Sequence, residues 1–482
     1  MARLVALAAG IIAIPLVTLT LGTEALGLVG VYATLQALLG LFDLGLPVAA
    51  NHRLAIMISR DVAPLERAAM VRTLEALFWS LVAIFLLAGF LLRGSLAAWL
   101  NVVSLPRETV DSALLLMISA AVIRFPVAFY SNVLFAYNRH IYPNAIVATS
   151  AALRIAAALV ALVAFHVGIV GYFAIQLIGS VIEVALLATG AWAAQLHRWI
   201  WPRLGALRGV ASMAGGLTAV SIVAVMFAQI DKVIISRMLS LGDFGLYSAG
   251  YTFAAGLAAL SYPIGNAVFP QLSQNLDGKS GEVVRIVHSA TELTILVLLP
   301  LGCVMVMQTQ AVLALFFLVK SAPSTLASIL PYMLLGGIAL GFATLPHLFQ
   351  IAARRLATVI YINAGLLLPY AALIVAGTYE GGVVGAALAF AVFNIARLLV
   401  YWGVLGSRRS TRSIWWPAVF LTIATTGAGL ILARLPTLIQ PHGFEAILIA
   451  AMSVLTLTGI AALAMPISRR SLLTFRNDGG KI

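Results

Sequence analysis

Long apolar runs separated by short polar breaks make up almost the whole chain, and that pattern leaves lipid as the one solvent in which it can fold. About fourteen such runs, each near the roughly 20 residues a helix needs to cross a bilayer, nearly exhaust the 482 residues. At 62% hydrophobic and 9% charged, with a mean hydropathy of +1.07, the chain has too little polar side chain to cover a soluble globule. The sequence predicts an all-α, polytopic membrane protein of about 14 transmembrane helices, with no room for a soluble catalytic domain.

The spans are placed at residues 4 to 22, 27 to 49, 73 to 93, 112 to 137, 142 to 166, 169 to 195, 209 to 240, 244 to 269, 288 to 308, 325 to 349, 357 to 377, 382 to 404, 413 to 433 and 444 to 466. The run after Arg3 leads into GTEALG with no small-x-small cleavage site, so it reads as a first span and not as a removed leader. It is short, and a few residues are expected to be missing ahead of it. The piece AVLALFFL, Ala311 to Leu318, is too short to span and is assigned to an outer loop.

Charge tests these placements independently, because basic residues of short loops stay on the cytoplasmic side. With the N-terminus inside, twenty of the 29 Lys and Arg fall in cytoplasmic segments. The outer segments hold Arg93, Arg107, Lys320 and Arg434, and the other five lie within spans. An odd number of spans would scramble this alternation, so both termini are expected in the cytoplasm, with the protein multi-pass in a bacterial inner membrane.

The net charge of +13 is spread over these short loops and forms no continuous stripe, which argues against a nucleic-acid partner. The single cysteine, Cys303, sits in an apolar run and excludes an internal disulfide or a thiolate metal cluster. His166, His288 and His347 lie near span ends without a two-histidine helical spacing, so no metal is expected. The chain has no phosphate-cradling loop with its lysine, no nucleophile elbow and no paired loop carboxylates; it reads as no enzyme and as needing no cofactor.

The chain also repeats itself. A shift of 218 residues lays Gly27, Leu28, Ala49 and Leu54 over Gly245, Leu246, Ala267 and Leu272, and a shift of 214 lays Gly168, Val170 and Gly171 over Gly382, Val384 and Gly385. Two six-helix halves in the same order follow: a lobe over residues 1 to 205 and a pseudo-symmetric lobe over 206 to 406. Residues 407 to 482 add two helices and a cytoplasmic tail. Six is an even number, so the halves are parallel repeats, with the binding site expected between them.

Three stretches carry a resemblance to a known family: LGTEALGLVGVYATLQALLGLFDLGLPVAANHRLA near the start, AQIDKVIISRMLSLGDFGLYSAG opening the second half, and SYPIGNAVFPQLSQ behind it. The chain resembles the polysaccharide or O-antigen flippases of the multidrug/oligosaccharidyl-lipid/polysaccharide exporter superfamily. The resemblance implies two six-helix lobes, a central cationic cavity, and alternating access that carries an undecaprenyl-diphosphate-linked glycan to the outer leaflet. Its implied partners are the lipid-linked oligosaccharide, membrane lipids and a coupling ion, H⁺ or Na⁺, with a polysaccharide polymerase acting beside it. Sugar identity does not transfer.

A charge at mid-bilayer costs about 2.5 to 3.5 kcal/mol on the lenient insertion scales, so each one needs a reason. Arg124, Arg154 and Glu183 lie near the middles of three consecutive spans and so share one depth. Gln176, Ser180 and Glu183 fall on one helical face, and Ser150 lies one turn from Arg154. The functional reading gives Arg124 and Arg154 the diphosphate, since guanidinium donates paired hydrogen bonds to phosphate and keeps its charge. Glu183 then holds one arginine between cycles or takes up a proton or Na⁺. The competing reading is a buried Arg–Glu lock that fixes helix packing.

In the second half Asp231 either lines an outward vestibule, as a site for ion coupling or pairing, or sits near the interface. Lys232 and Arg237 are expected to snorkel, and Asp231 and Lys232, adjacent in sequence, are expected to face different sides and not to pair. Asn394, Arg397 and Tyr401 repeat the polar stripe, and Arg397 is a third candidate for the substrate phosphates. Asp43 is expected to cap the next segment or to pair with a loop arginine. Against the flippase stands a drug or cation antiporter, which needs a cavity rich in carboxylates and aromatics. A membrane glycosyltransferase or polymerase would need acidic residues in a long loop, and the longest here has about twenty residues around 50 to 72.

Overall fold

Twelve of the predicted spans are helical in the computed structural model, which describes residues 2 to 43, 45 to 195, 201 to 202, 208 to 275, 280 to 317 and 322 to 406. The predicted spans 413 to 433 and 444 to 466 and the tail lie outside the described residues, as do Arg198, Arg203, Lys279 and Lys320. Among the described residues no strand occurs, and nine segments are long and apolar enough to cross a membrane. The protein is a multi-pass, helical membrane protein.

Several spans are built from two helices. Helix α1 is Ala2–Leu21, and the second span is α2 (Thr23–Leu39), a 3₁₀ turn (Gly40–Asp43) and α3 (Leu46–Ser59). Asp43 accepts the Gly45 N–H at 2.9 Å, an Asx turn that ends the 3₁₀ segment and opens α3. Helix α4 (Pro64–Trp99) is continuous. The fourth span is α5 (Arg107–Ile123) and α6 (Val127–Ala136), and Pro126, which supplies no backbone donor, stands at the break between them. Helices α7 (Ile141–Ala164), α8 (Ile169–Ala194) and α9 (Arg208–Met238) follow.

The second half reuses this plan. Helices α10 (Leu241–Ala259) and α11 (Ser261–Asn275) share one span, α12 is Ser280–Met307, and α14 (Ser324–Phe342) and α15 (Thr344–Ala352) share another. Helix α13 (Thr309–Phe316) is the short apolar piece assigned to a loop. Helix α16 (Leu356–Gly406) turns at Gly382, whose φ of 56° suits a residue without a Cβ. A methyl group on Gly377 would lie 2.5 Å from the Gly385 carbonyl oxygen; eight residues along one straight helix span about 12 Å, so α16 is a hairpin.

The breaks recur in register. Leu260, between α10 and α11, lies 218 residues beyond Phe42 in the 3₁₀ turn, and Ala343, between α14 and α15, lies 218 beyond Phe125. Left-handed residues recur at an offset of 216, Asn138 with Arg354 and His166 with Gly382. Packing recurs as well: α3 lies on α6 as α11 lies on α15, and α4 on α5 as α12 on α14.

The chain forms two compact units, residues 1 to 248 and 249 to 482. In the second, α14 packs on α10 and α16 through close glycines: Gly337 faces the Ala254 backbone and Gly336 faces Phe390. Small residues let helices approach where lipid offers no hydrophobic drive, so dispersion between backbones does the work.

Within the first unit α2 crosses the start of α10 in a reciprocal contact. A methyl on Gly27 would overlap the Leu241 carbonyl oxygen, and one on Gly245 would lie 2.6 Å from the Thr23 carbonyl oxygen. Gly27 and Gly245 are repeat mates, and so are Thr23 and Leu241, each 218 residues apart. The same region is latched by side chains. Glu24 accepts the N–H groups of Val103, Ser104 and Leu105 at 2.8 to 3.1 Å. Asn101 donates to the carbonyls of Arg237 and Leu239, and the Trp99 indole donates to Ser236.

Gly27→Ala and Gly245→Ala should each cost about 1 to 3 kcal/mol by overpacking against backbone that cannot yield, read as a lower melting temperature in detergent. Gly94→Ala, at a position inside α4 with nothing within 4 Å of the added methyl, is the control and should leave it level or raise it, since alanine favours the helix.

Candidate functional site

Arg124 reaches the interior because of where α5 stops. Its carbonyl accepts the Val127 N–H at 3.0 Å, closing the turn around Pro126, and its side chain leaves the helix axis at that break. Arg154 comes from the middle of α7 and Glu183 from the middle of α8. The Glu183 side chain is fully buried, Arg154 is 7% exposed and Arg124 24%.

The three side chains meet as one cluster. Arg124 donates from Nε to Glu183 Oε2 at 3.0 Å and from Nη2 to Oε1 at 3.2 Å, a two-pronged fork. Arg154 donates from Nη1 to the same Oε2. One carboxylate therefore serves two guanidiniums, and the cluster carries a net charge of +1. Ser180 is spent locally, donating to the Gln176 carbonyl at 2.7 Å. Gly179 makes the arrangement possible: a methyl there would overlap Cγ and Cδ of Arg154, so the aliphatic stem of the arginine lies over the bare backbone of α8.

A residue with no charge to reveal it completes the cluster. Tyr32, on α2, is 7% exposed and meets the Phe173 ring edge-on at 5.6 Å. Its hydroxyl sits among Arg124, Arg154, Ser180 and Glu183. A second buried acid in the same unit, Glu75 on α4, accepts from the Tyr130 hydroxyl at 2.6 Å, the Trp192 indole at 2.8 Å and Arg72 at 2.6 Å. Glu75 falls inside the predicted span 73 to 93, so a count of intramembrane charges on both signs would have marked it.

The other candidates lie elsewhere. Asp231 and Lys232 do pair, against the expectation from adjacency: Lys232 Nζ lies 3.1 Å from Asp231 Oδ1 and donates to the Ala228 carbonyl at 2.9 Å. The four-carbon stem of lysine bends back around the helix, and with Lys232 5% and Asp231 1% exposed neither charge can reach water instead. Lys232 thus does not snorkel. Tyr247 donates to Asp231 Oδ2 at 2.8 Å. Arg237 stacks over Trp99 with its guanidinium carbon 5.7 Å from the ring centroid.

In the second unit Arg397 lies over the Tyr401 ring at 5.7 Å. Tyr401 donates to Asn363 at 3.2 Å, and His347 Nδ1 is 3.3 Å from the same hydroxyl. Asn394 donates back to the Phe390 carbonyl. No group of three metal-ligating side chains occurs among the described residues.

Comparison with known proteins adds the family context. Residues 1 to 276 match the family model described as polysaccharide biosynthesis protein. A putative O-antigen transporter of Shigella flexneri is 27% identical over 189 residues, which cover 39% of this chain and 44% of the relative. The matched stretch thus spans under half the length of that curated relative. Among solved structures, a multidrug resistance MATE family transporter of the MOP superfamily, in an inward-facing conformation, superposes with a TM-score of 0.64 at 15% identity, covering 86% of this chain and 95% of that one. The lipid II flippase MurJ, in an inward closed conformation, gives a TM-score of 0.62 at 14% identity, covering 89% and 97%. Both are likenesses of fold, and the proteins so named are transporters.

Gly179→Val should cost about 1 to 3 kcal/mol by displacing the Arg154 stem, and most of that cost should vanish in Arg154→Ala, which has no stem to displace. Melting temperatures of the two single variants and the double close the cycle; strictly additive losses would show that Arg154 does not lie over Gly179.

Proposed function

We propose, starting from the fact that this chain belongs to the polysaccharide biosynthesis protein family, that it is a flippase for an undecaprenyl-diphosphate-linked oligosaccharide. It moves that glycolipid from the cytoplasmic to the outer leaflet of the bacterial inner membrane by alternating access between lobes 1 to 205 and 206 to 406, with both termini in the cytoplasm.

The observation that carries this reading is the charge surplus of the cluster. A single buried carboxylate compensates one guanidinium, and the second remains as a positive charge fixed in the membrane-spanning part of the first unit. A diphosphate drawn into a bilayer loses its hydration and needs fixed donors in return. Arginine supplies them in pairs and cannot escape by deprotonating. Arg124, the more exposed of the two, meets the incoming phosphate first. As phosphate oxygens take over the guanidinium donors, the Glu183 carboxylate is freed and takes up the coupling H⁺ or Na⁺. Arg397, over the Tyr401 ring, gives the second lobe its own phosphate contact, while Asp231 stays paired with Lys232. A cationic drug would be repelled by the same surplus, which sets the antiporter reading aside.

Polymer at the cell surface reads out transport. Arg124→Ala and Arg154→Ala each leave a neutral pair with Glu183, so protein level should hold while export falls to background. Export that survives both single changes and the double variant overturns the anion site. Lys at either position should restore part of the activity if charge alone matters and little if the two-pronged geometry does. Glu183→Gln strands two buried cations and should cost about 3 to 5 kcal/mol, more than either arginine variant.

A further inference from the structure

Tyr32 is the one member of the cluster whose polar atom is buried without being used. Its hydroxyl lies against Arg124 and Ser180 but forms a hydrogen bond of acceptable geometry with neither. Both guanidiniums offer donors alone, the Ser180 proton is given to the Gln176 carbonyl, and Glu183 already accepts three hydrogen bonds from the arginines. The phenolic oxygen is buried beside this positive cluster without a hydrogen-bond partner. A buried, unsatisfied hydroxyl costs stability, and its position is held from behind by the Phe173 ring.

We propose that the Tyr32 hydroxyl is the third donor of the anion site, hydrogen-bonding a phosphate oxygen that sits between Arg124 and Arg154. This rests on the diphosphate reading above and deepens it by adding a residue from α2. Two forks and a phenol converge from three helices, so an oxyanion entering the cluster finds donors on three sides. It also supplies the partner that the phenolic hydroxyl lacks. The ligand class is a phosphate or diphosphate oxyanion, whether it arrives as a lipid headgroup or free.

The test is Tyr32→Phe, which keeps the ring against Phe173 and deletes the oxygen. Purified wild type, Tyr32→Phe and Arg124→Ala would be titrated with farnesyl diphosphate and, separately, with inorganic diphosphate, alongside melting temperatures without ligand. The expected result is about tenfold weaker binding of farnesyl diphosphate by Tyr32→Phe, the loss of one hydrogen bond to a charged group. The unliganded melting temperature should stay level or rise, since no internal bond is broken. A matching loss with inorganic diphosphate assigns recognition to the oxyanion alone; a loss confined to the prenyl compound assigns it to the lipid headgroup. Wild-type affinity in Tyr32→Phe while Arg124→Ala binds weakly overturns the role of Tyr32 and leaves the arginine site standing. A lower unliganded melting temperature overturns it too, because the hydroxyl would then have an internal partner. Absence of binding by wild type to either probe overturns both this inference and the diphosphate reading.

Discussion

Two guanidiniums sharing one fully buried carboxylate set the electrostatics of the interior of the first unit. Each charge alone would be expelled from a membrane interior, and the pair Arg154–Glu183 by itself would be a neutral lock of modest net worth, since desolvation of both ions consumes most of their attraction. Adding Arg124 changes the balance. Its fork occupies both carboxylate oxygens, which fixes the Glu183 rotamer and joins α5, α7 and α8 at one depth. The positive remainder has no carboxylate of its own in the cluster, and the proposed anion site rests on it.

Local backbone features serve this arrangement. Pro126 stands at the break between α5 and α6, where Arg124 turns inward. Gly179 opens the surface of α8 so that a long side chain from α7 can lie flat and still reach Glu183. The Glu75 cluster, with Tyr130, Trp192 and Arg72 around a second buried acid, ties α4, α6 and α8 together. Among the described residues that acid is held by a tyrosine, an indole and a single guanidinium. The contrast between Glu75 and Glu183 separates an acid that staples helices from one that also holds surplus charge.

The helices were legible because their signal is simple. Apolar runs of bilayer length and basic loops on alternate sides need no knowledge of packing, and span edges such as Gly168 and Gly382 were marked by residues that end helices. The cluster of Arg124, Arg154 and Glu183 was legible for a related reason: charges in apolar runs are rare enough to be matched by depth. What escaped was set by side-chain reach and by neutral atoms. Lys232 bends back onto Asp231, which helical spacing alone does not foretell. Tyr32 is an uncharged residue in an apolar run, and the role of Gly179 exists only relative to an arginine on another helix. The splitting of spans into paired helices at Phe42, Phe125, Leu260 and Ala343 was likewise not foreseen, although a proline follows each break, Pro47, Pro126, Pro263 and Pro346.

The crossing of α2 and α10 is reciprocal down to single atoms: the residue that Gly27 faces is the repeat mate of the residue that Gly245 faces. Such a contact is isologous, the kind made when the same surface patch meets itself about a two-fold axis. The two patches are nevertheless no longer identical: the mate of Gly30 is Ser248, and a methyl group on Gly30 would lie 2.6 Å from the Ser248 hydroxyl oxygen, so the pair closes on a hydroxyl where its neighbours close on backbone.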